Sequence, residues 1–395
     1  MLPRPVPDFN RAIHGLLGLP FDAVDLAGAC DAVRASVARR TRLVLVTPNT
    51  NFVVAALENP AFRESMLRAG LSTLDGMVLL WLARLVGIPL PERVTGADLF
   101  VALQDGDRSL PPVKVFIFGG PDGVARLAQL KVNAKAQGVE VVGSLSPGYG
   151  PVDHLGRDEI LAQINASGAD FLVISLGAIK GHEWIEAVAG ALTPSVISHL
   201  GAVVNYEAGT VRRAPRGFQV LGLEWLWRMT QEPALWRRYS RDGVRLVRLV
   251  ATRLVPYRWF LMRHRDRLLG DGPAPTLRTH TEPGVRVVLQ LEGAWTDSTS
   301  QGLRDGLRRA AQCGVPVSVD LAMATYIDSA VVGLLMLLRG HLGTQGLGLT
   351  IHAASPTVRR ILRYHCAEYL LDSATVAPFG DIAAARERTK APLAG

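Results

Sequence analysis

The amino-acid sequence predicts an α/β fold, because short apolar runs that fit buried strands alternate with helical stretches over residues 1–220. Each run ends in a turn rich in glycine or polar residues. This alternation is typical of a Rossmann-like parallel sheet with helices on both faces, in which ligands bind beyond the carboxyl ends of the strands. The strand order stays open. The predicted strands are Leu43–Val46, Val113–Phe118, Val139–Val142, Phe171–Ser175 and Ser195–Ser198.

Two further regions follow this α/β domain. Residues 221–270 have a helical pattern that Pro233 and Pro256 are expected to break or kink. Residues 271–283 are rich in Pro, Gly and Thr and are predicted to form a linker. A second, smaller α/β domain is predicted over residues 284–395, a length typical of one independent fold. Its strands are expected at Val285–Leu291, Val315–Leu321 and Leu347–Ala353, and its helices at Ser300–Cys313, Ser329–Gly343 and Pro356–His365.

The composition indicates an ordered protein with an anionic partner. Of 395 residues, 48% are hydrophobic and 20% charged, which is enough to bury a sizeable core. The three cysteines are widely spaced, which argues against a zinc ribbon or a disulfide framework and fits a reducing cytoplasm. Neither a signal peptide nor a spanning helix is expected. The net charge of +8 is concentrated as arginine between Arg212 and Arg267, which suggests phosphate, nucleic acid or an acidic lipid surface as partner.

Three polar clusters carry the candidate chemistry: Thr47–Asn49, Leu71–Gly76 and Pro91–Leu99. Taken singly, Asp75 could cap the helix that follows it, as could Thr95 or Asp98. A carboxylate at a strand end beside a strongly apolar helix can also have its pKa raised toward neutrality and act as a general base.

Together, the clusters resemble the TagA/WecG/CpsF family of bacterial glycosyltransferases, which comprises N-acetylmannosaminyl and N-acetylmannosaminuronyl transferases. That family shows a TPN-type loop, a DG after a strand and an R-V-x-G-x-D-L segment, here Arg93–Leu99. The resemblance covers about residues 41–239. It continues through Phe118–Gly120, Val211–Pro215, Leu223–Arg228, Glu232-Pro233 and Trp236–Tyr239.

The resemblance implies an inverting transfer from a UDP-sugar donor to the 4-hydroxyl of a GlcNAc on an undecaprenyl-diphosphate-linked acceptor. Asp75 would deprotonate that hydroxyl, and Arg93 would stabilise the leaving diphosphate, a role that suits a guanidinium. No cofactor is implied, and the DxD at 105–107 is interpreted as a solvated loop, so no metal is expected. The other implied substrate-binding residues are Thr47, Asn49, Thr95, Asp98, Gly177, Lys180, His182, Arg212, Arg213 and Arg228.

The sequence departs from the family in two segments. Where the family has G-A-P-K-Q-E, this chain has Gly177–His182 with Ile, Gly and His in place of Pro, Gln and Glu, and Asn205 stands where Asp is common. Either the donor differs, or His182 compensates, or activity is weakened. The alternative hypothesis is therefore a catalytically weakened or inactive homologue that acts as a membrane-associated regulatory or interaction protein.

The arginine-rich segment places Arg241, Arg245 and Arg248 between Val and Leu, which can set a basic stripe beside an apolar one. Such a helix can lie on an anionic membrane surface, with tryptophans at the boundary. The other interpretation is a helix packed on its own domain with a solvated basic face. No nucleic acid is expected as partner, since no known module is visible. The predicted location is the cytoplasm, peripheral to the inner face of the cell membrane.

The C-terminal domain resembles the STAS domain of anti-sigma-factor antagonists over Val285–Phe379, through Leu291–Gly293, Asp297 and Val315–Leu335. In that family the serine after the Asp, here Ser329, is phosphorylated by a partner kinase. A serine at a helix start is otherwise most simply an N-cap. The resemblance implies a regulatory or docking role, with a kinase or an anti-sigma-like protein as partner.

Overall fold

The computed structural model describes residues 6–106, 109–270, 274–282 and 284–372. The chain begins with an antiparallel hairpin that the sequence patterns did not reveal, β1 (Ile13–Leu16) paired with β2 (Leu19–Asp22). Every residue of both strands is buried. The hairpin therefore belongs to the interior of the protein.

A six-stranded parallel sheet follows, in the order β4-β3-β8-β7-β5-β6. This confirms the predicted parallel α/β domain and supplies the strand order that the sequence left open. The carboxyl ends of all six strands meet at one edge of the sheet, where ligands bind in such folds. The strands are β3 (Leu43–Val46), β4 (Leu71–Ser72), β5 (Val113–Gly119), β6 (Val139–Leu145), β7 (Phe171–Ser175) and β8 (Val196–His199).

Helices cover both faces of this sheet. Val115 and Ile117 of β5 pack into one apolar core, whereas Phe116 and Phe118 pack into another. This follows from the alternation of side chains along a strand. The helices are α1 (Leu26–Arg39), α2 (Thr50–Glu58), α3 (Pro60–Leu67), α4 (Met77–Leu85), α5 (Gly96–Gln104), α6 (Val124–Lys135), α7 (Val152–Leu155), α8 (Asp158–Ala166), α9 (Ala178–Val188) and α10 (Gly201–Ala208).

The basic segment is helical, as predicted, with breaks near both prolines. It comprises α11 (Arg216–Val220), α12 (Glu224–Gln231), a 3-10 turn (Pro233–Leu235), α13 (Trp236–Leu249), a π-helical turn (Val250–Leu254) and α14 (Val255–Gly270). Pro256 has no N–H to donate to the preceding turn, which accounts for the π turn beside it. Along the described part of the chain, no helix has the length and apolar character needed to cross a bilayer.

The C-terminal domain is α/β, with strand order β12-β10-β11-β13 and β9 paired antiparallel with β10. The linker prediction was wrong for residues 276–282, because the Thr-rich run there forms β9. The elements are β9 (Thr276–Glu282), β10 (Arg286–Trp295), α15 (Gln301–Gln312), β11 (Val317–Leu321), β12 (Ala324–Ile327), α16 (Ser329–Thr344), β13 (Leu349–Ala354) and α17 (Pro356–Tyr364).

Buried residues of this domain and of the first domain belong to one apolar core. Every residue of α16 from Ser329 to Leu342 is buried, and α16 packs on β1 and α3. Its Gly340 permits close approach, since an added Cβ would lie 2.1 Å from the carbonyl oxygen of Leu67. Arg339 of α16 and Glu64 of α3 form a buried ion pair with an Nε–Oε1 distance of 2.8 Å.

Candidate active site

A cavity of about 820 Å³ opens at the carboxyl ends of the parallel strands. Loops after β3 to β8 form its floor, and α12 and α13 of the basic segment close one side. Parallel α/β sheets bind ligands at this edge, and the volume suits a ligand larger than a single sugar.

The first two motifs meet at this cavity through backbone hydrogen bonds. The N–H of Asp75 donates to the carbonyl of Pro48 at 3.0 Å, and that of Thr73 to the carbonyl of Val46 at 3.0 Å. The third motif joins them where the N–H of Val94 donates to the carbonyl of Leu74 at 2.9 Å. These contacts explain why three segments distant in sequence occur in one fixed arrangement.

Asp75 does not cap the following helix. The N-cap of α4 is Gly76, at φ 132°, and it makes no side-chain capping bond. The Asp75 side chain lines the cavity and is partly exposed. Desolvation, and then the charge of Glu224, raise the pKa of Asp75 to about 7, against the opposing effect of Arg93. A carboxylate with that pKa can accept a proton near neutral pH.

Eight other predicted residues line the cavity beside Asp75, and three of them are arginines. Asn49 is the N-cap of α2, and its side-chain oxygen accepts from the N–H groups of Asn51 and Phe52. Lys180 donates from Nζ to the carbonyl of Gly150 at 3.0 Å. The remaining three are Thr47, Thr95 and Gly177.

The predicted arginines form a charged network on the side nearest α12. Arg93 pairs with Glu224 at 2.9 Å and with Asp98 at 3.2 Å, and Arg213 pairs with Asp98 at 2.5 Å. Thr95 caps α5 and also donates to Asp98 at 2.8 Å. Asp98 is not part of the cavity lining, so its visible role is to hold the two arginines in place.

Besides Asp98, the predicted site residues His182 and Arg212 do not line the cavity. His182 is 2% exposed and packs edge-on against Phe52 and Phe62, with ring centroids 5.6 and 5.4 Å away. Burial, and then His199, hold the pKa of His182 well below its usual range, so it is a neutral core residue. The side chain of Arg212 does not line the cavity either, and its backbone N–H and carbonyl bond to Gln231 and Trp227 of α12.

Several cavity residues were missed by sequence reasoning. Glu224 and Arg228 lie four residues apart on α12, hence on one helix face, but only Arg228 was predicted. The spacing within Leu223–Arg228 was the available signal for Glu224. Arg238 and Tyr239 belong to the Trp236–Tyr239 motif but were given no role, and no predicted site included Tyr149, Tyr206 or Asp242.

No group of three or more His, Cys, Asp or Glu side chains that could hold a metal ion occurs among the residues that the structure describes. Asp105 is the C-cap of α5, and Asp107 lies outside those residues. The fixed positive charge facing Asp75 is that of Arg93 and Arg213.

Ser329, the predicted phosphorylation position, is buried between the two domains. It is 8% exposed, and its Oγ lies 3.0 Å from Nδ1 of His14 on β1. The N-cap of α16 is Asp328, so the expectation that Ser329 caps the helix was wrong. Phosphorylation stays a prediction, and it requires this interface to open.

The sequence comparisons agree with this architecture. The family model of the WecG/TagA/CpsF glycosyltransferases matches residues 14–259, and a model described as Mlab, STAS domain matches residues 279–372. The chain is 29% identical over 194 residues to an N-acetylglucosaminyldiphosphoundecaprenol N-acetyl-beta-D-mannosaminyltransferase of Bacillus spizizenii. That alignment covers 49% of this chain and 73% of the relative.

Among solved structures, the unphosphorylated form of the anti-sigma factor antagonist SpoIIAA matches with 19% identity and a TM-score of 0.23. The match covers 29% of this chain and 97% of that one. The two family models account for both domains without it. The chain belongs to the WecG/TagA/CpsF family of glycosyltransferases and carries a C-terminal STAS domain.

Proposed function

We propose that this chain is an inverting glycosyltransferase that moves a sugar from a UDP-sugar to a polyprenyl-diphosphate-linked saccharide in cell-surface polysaccharide synthesis. The transferred sugar is a HexNAc, a hexose or a uronic acid. The observation that carries the proposal is Asp75, a carboxylate with a pKa of about 7 in a cavity that Arg93 and Arg213 also line.

In this mechanism Asp75 takes the proton of the acceptor hydroxyl as that oxygen attacks the anomeric carbon of the donor. The bond from the anomeric carbon to the diphosphate oxygen breaks on the opposite face, which inverts the configuration. Arg93, Arg213 and Arg228 offset the charge that develops on the departing UDP, as preorganised cations do for a leaving diphosphate.

The altered segment at 177–182, which forms the N-cap and the start of α9, leaves the cavity in place. Gly177, Ala178 and Lys180 still line it. Gly181 is required by packing, since an added Cβ would lie 2.4 Å from the ring of His199. This arrangement favours a changed donor preference over the inactive homologue.

Transfer is tested with a panel of UDP-sugars and a short-chain GlcNAc-diphosphate-prenol, with product detected by mass spectrometry. Wild type is compared with Asp75→Asn and with the control Asp31→Asn, an exposed aspartate on α1. We expect turnover with at least one donor, a loss of at least about 100-fold in Asp75→Asn, and no change in the control. If no donor in the panel supported turnover, the transferase proposal would fail and the hypothesis of an inactive homologue would remain.

The proposal includes contact between the basic segment and an anionic membrane surface. Six large apolar side chains are exposed along α13 and α14, each at 51% or more: Trp236, Val244, Val247, Val255, Trp259 and Met262. The exposed Arg248, Arg258 and Arg263 accompany them. Apolar insertion beside basic side chains is the usual pattern of an interfacial helix.

Liposome sedimentation tests this contact. Wild type is expected to bind vesicles that contain phosphatidylglycerol, and more weakly at high salt because the arginine contribution is screened. Trp259→Glu should reduce binding without lowering thermal stability, since Trp259 is 59% exposed. A matched control is Leu130→Glu, an exposed apolar position (55%) on α6. Equal binding by all three proteins would contradict the proposal.

The STAS domain is proposed to regulate transfer through the β1–β2 hairpin. Arg304 of α15 donates to the carbonyl of Arg11 at 2.8 Å, and Arg11 pairs with Asp22 at 2.5 Å. Asp22 in turn accepts from the N–H of Ser72 at 2.7 Å, three residues before Asp75. A change in how the STAS domain packs on the first domain can therefore be transmitted through these contacts to β4, the strand that precedes Asp75.

Ser329→Asp tests this coupling, because it places a charge in a buried interface, which costs several kcal/mol unless the interface opens. We expect lower turnover and lower thermal stability, whereas Ser298→Asp, at an exposed site of the same domain, should behave as wild type. Mass spectrometry of protein purified from cells would show whether a kinase modifies Ser329. Unchanged turnover and stability in Ser329→Asp would rule out regulation through this contact.

A further inference from the structure

Asp242 of α13 is a buried carboxylate within the active-site cavity that no predicted motif includes. It is 2% exposed and lines the cavity with Asn51 of α2. Its Oδ2 accepts a hydrogen bond from Nδ2 of Asn51 at 2.9 Å. Its Oδ1 is also buried but accepts no hydrogen bond from any residue that the structure describes. The Nε of Arg241 lies 3.5 Å from that oxygen, too long for a good hydrogen bond.

A buried carboxylate oxygen without a donor is costly and rare in native proteins. Because Asp242 lines a cavity of about 820 Å³, a bound ligand can supply the missing donor. A carboxylate accepts hydrogen bonds and repels phosphate, so in the substrates of the proposed transfer the groups that match it are hydroxyl and amide N–H groups. Those are the groups of a sugar.

A cationic side chain lies close to Asp242 along α13. Arg238 lies one helical turn before Asp242 and also lines the cavity, with a buried Nε that makes no hydrogen bond to the described residues. Side chains four residues apart on a helix are about 5–6 Å apart. The same face of α13 therefore presents the Arg238 guanidinium, which can bind a diphosphate, and the Asp242 carboxylate, which can bind the sugar attached to that diphosphate.

The same helix continues into the exposed apolar face that is proposed to contact the membrane, the side from which a lipid-linked acceptor arrives. The loops at Gly120–Pro121, Gly148–Gly150 and Gly177 line the same cavity and are available to the donor nucleotide. We propose that Asp242, held by Asn51, recognises the acceptor sugar by accepting a hydrogen bond at Oδ1 from one of its hydroxyl or acetamido N–H groups. This inference rests on the proposed transferase function.

Steady-state kinetics of the full chain test it. Asp242→Asn keeps the size of the side chain but removes the charge, and Asp266→Asn is the control, an exposed aspartate on α14. Loss of a hydrogen bond to a charged group predicts a rise of about 10- to 100-fold in acceptor KM for Asp242→Asn. Donor KM should stay within about two-fold of wild type, since only the acceptor touches this side chain.

Acceptor analogues distinguish recognition of the acceptor by Asp242 from a purely structural role of Asp242 in α13. Analogues of the GlcNAc-diphosphate-prenol lacking the 3-hydroxyl, the 6-hydroxyl or the acetamido group are compared on wild type and Asp242→Asn. For wild type, one analogue should have a higher KM than the parent acceptor. For Asp242→Asn, the same analogue should have a KM no higher than that of the parent acceptor. The inference would be overturned if Asp242→Asn left the acceptor KM unchanged or raised the acceptor and donor KM values equally. It would also be overturned if the variant discriminated against all three analogues as strongly as wild type does.

Calorimetric binding of the parent acceptor keeps the two proposals distinguishable. If wild type transfers no sugar but binds the acceptor at least about ten-fold tighter than Asp242→Asn, the transferase proposal fails and the recognition role stands. Equal affinities overturn the recognition role, whatever the turnover. If wild type binds no acceptor, both fail.

Discussion

The raised pKa of Asp75 predicts a trade-off between catalysis and stability. Because the folded-state pKa is about 7 and the ordinary value 3.8, the folded state holds a proton that the unfolded state has lost between those pH values. Stability therefore falls as pH rises from about 4 to about 7. About three pKa units correspond to ~4 kcal/mol, and water in the cavity reduces this to ~2–4 kcal/mol.

Asp75→Asn removes this penalty and the catalytic base together. Near pH 4 the variant and wild type should unfold at the same temperature. At pH 8 the variant should melt higher by about 3–5 °C, from an unfolding entropy of ~2 cal/mol/K per residue. In wild type, kcat/KM should rise with pH to a plateau above about 7, because the deprotonated carboxylate is the base.

The measurements are thermal unfolding at pH 4, 6 and 8 and kcat/KM from pH 5 to 9, for wild type, Asp75→Asn and the control Asp31→Asn. The control should match wild type at every pH. An Asp75→Asn melting temperature at or below that of wild type at pH 8 would refute the desolvation argument. A flat wild-type kcat/KM profile would refute the role as base.

Three further predictions follow from particular contacts. Gly340→Ala should lower stability by at least ~2 kcal/mol in thermal melts, because its Cβ would meet the Leu67 carbonyl. Its control, Gly302→Ala in the helix α15, has open space and should raise stability by ~0.5–1 kcal/mol. Glu224→Gln should move the rise of the kcat/KM pH profile to lower pH, since the charge of Glu224 raises the pKa of Asp75; an unmoved profile would contradict this. Glu64→Gln removes the buried ion pair between Glu64 and Arg339 and should destabilise both domains together by ~3–5 kcal/mol, seen as one shifted transition by calorimetry; two separate transitions would contradict the shared core.

Most strands and helices could be predicted because each depends on a local pattern. The runs Val113–Phe118 and Phe171–Ser175 are apolar over the length of a buried strand, and the structure has strands there. The Thr-rich run at 276–282 was misinterpreted because its polar residues also fit a loop, and the strand that they form is mostly exposed. The β1–β2 hairpin was missed for a related reason, since its burial depends on contacts with α16, more than 300 residues later.

The sequence by itself determined the α/β class, the family and the motif that contains Asp75, since apolar periodicity and motif order are properties of the chain alone. Only the tertiary structure decided that His182 belongs to the core, that Ser329 faces His14, and that Asp242 enters the cavity. Each of these outcomes depends on which surfaces meet after the strands have paired. Burial and hydrogen-bond partners are set by those long-range contacts, and no local pattern of residues encodes them.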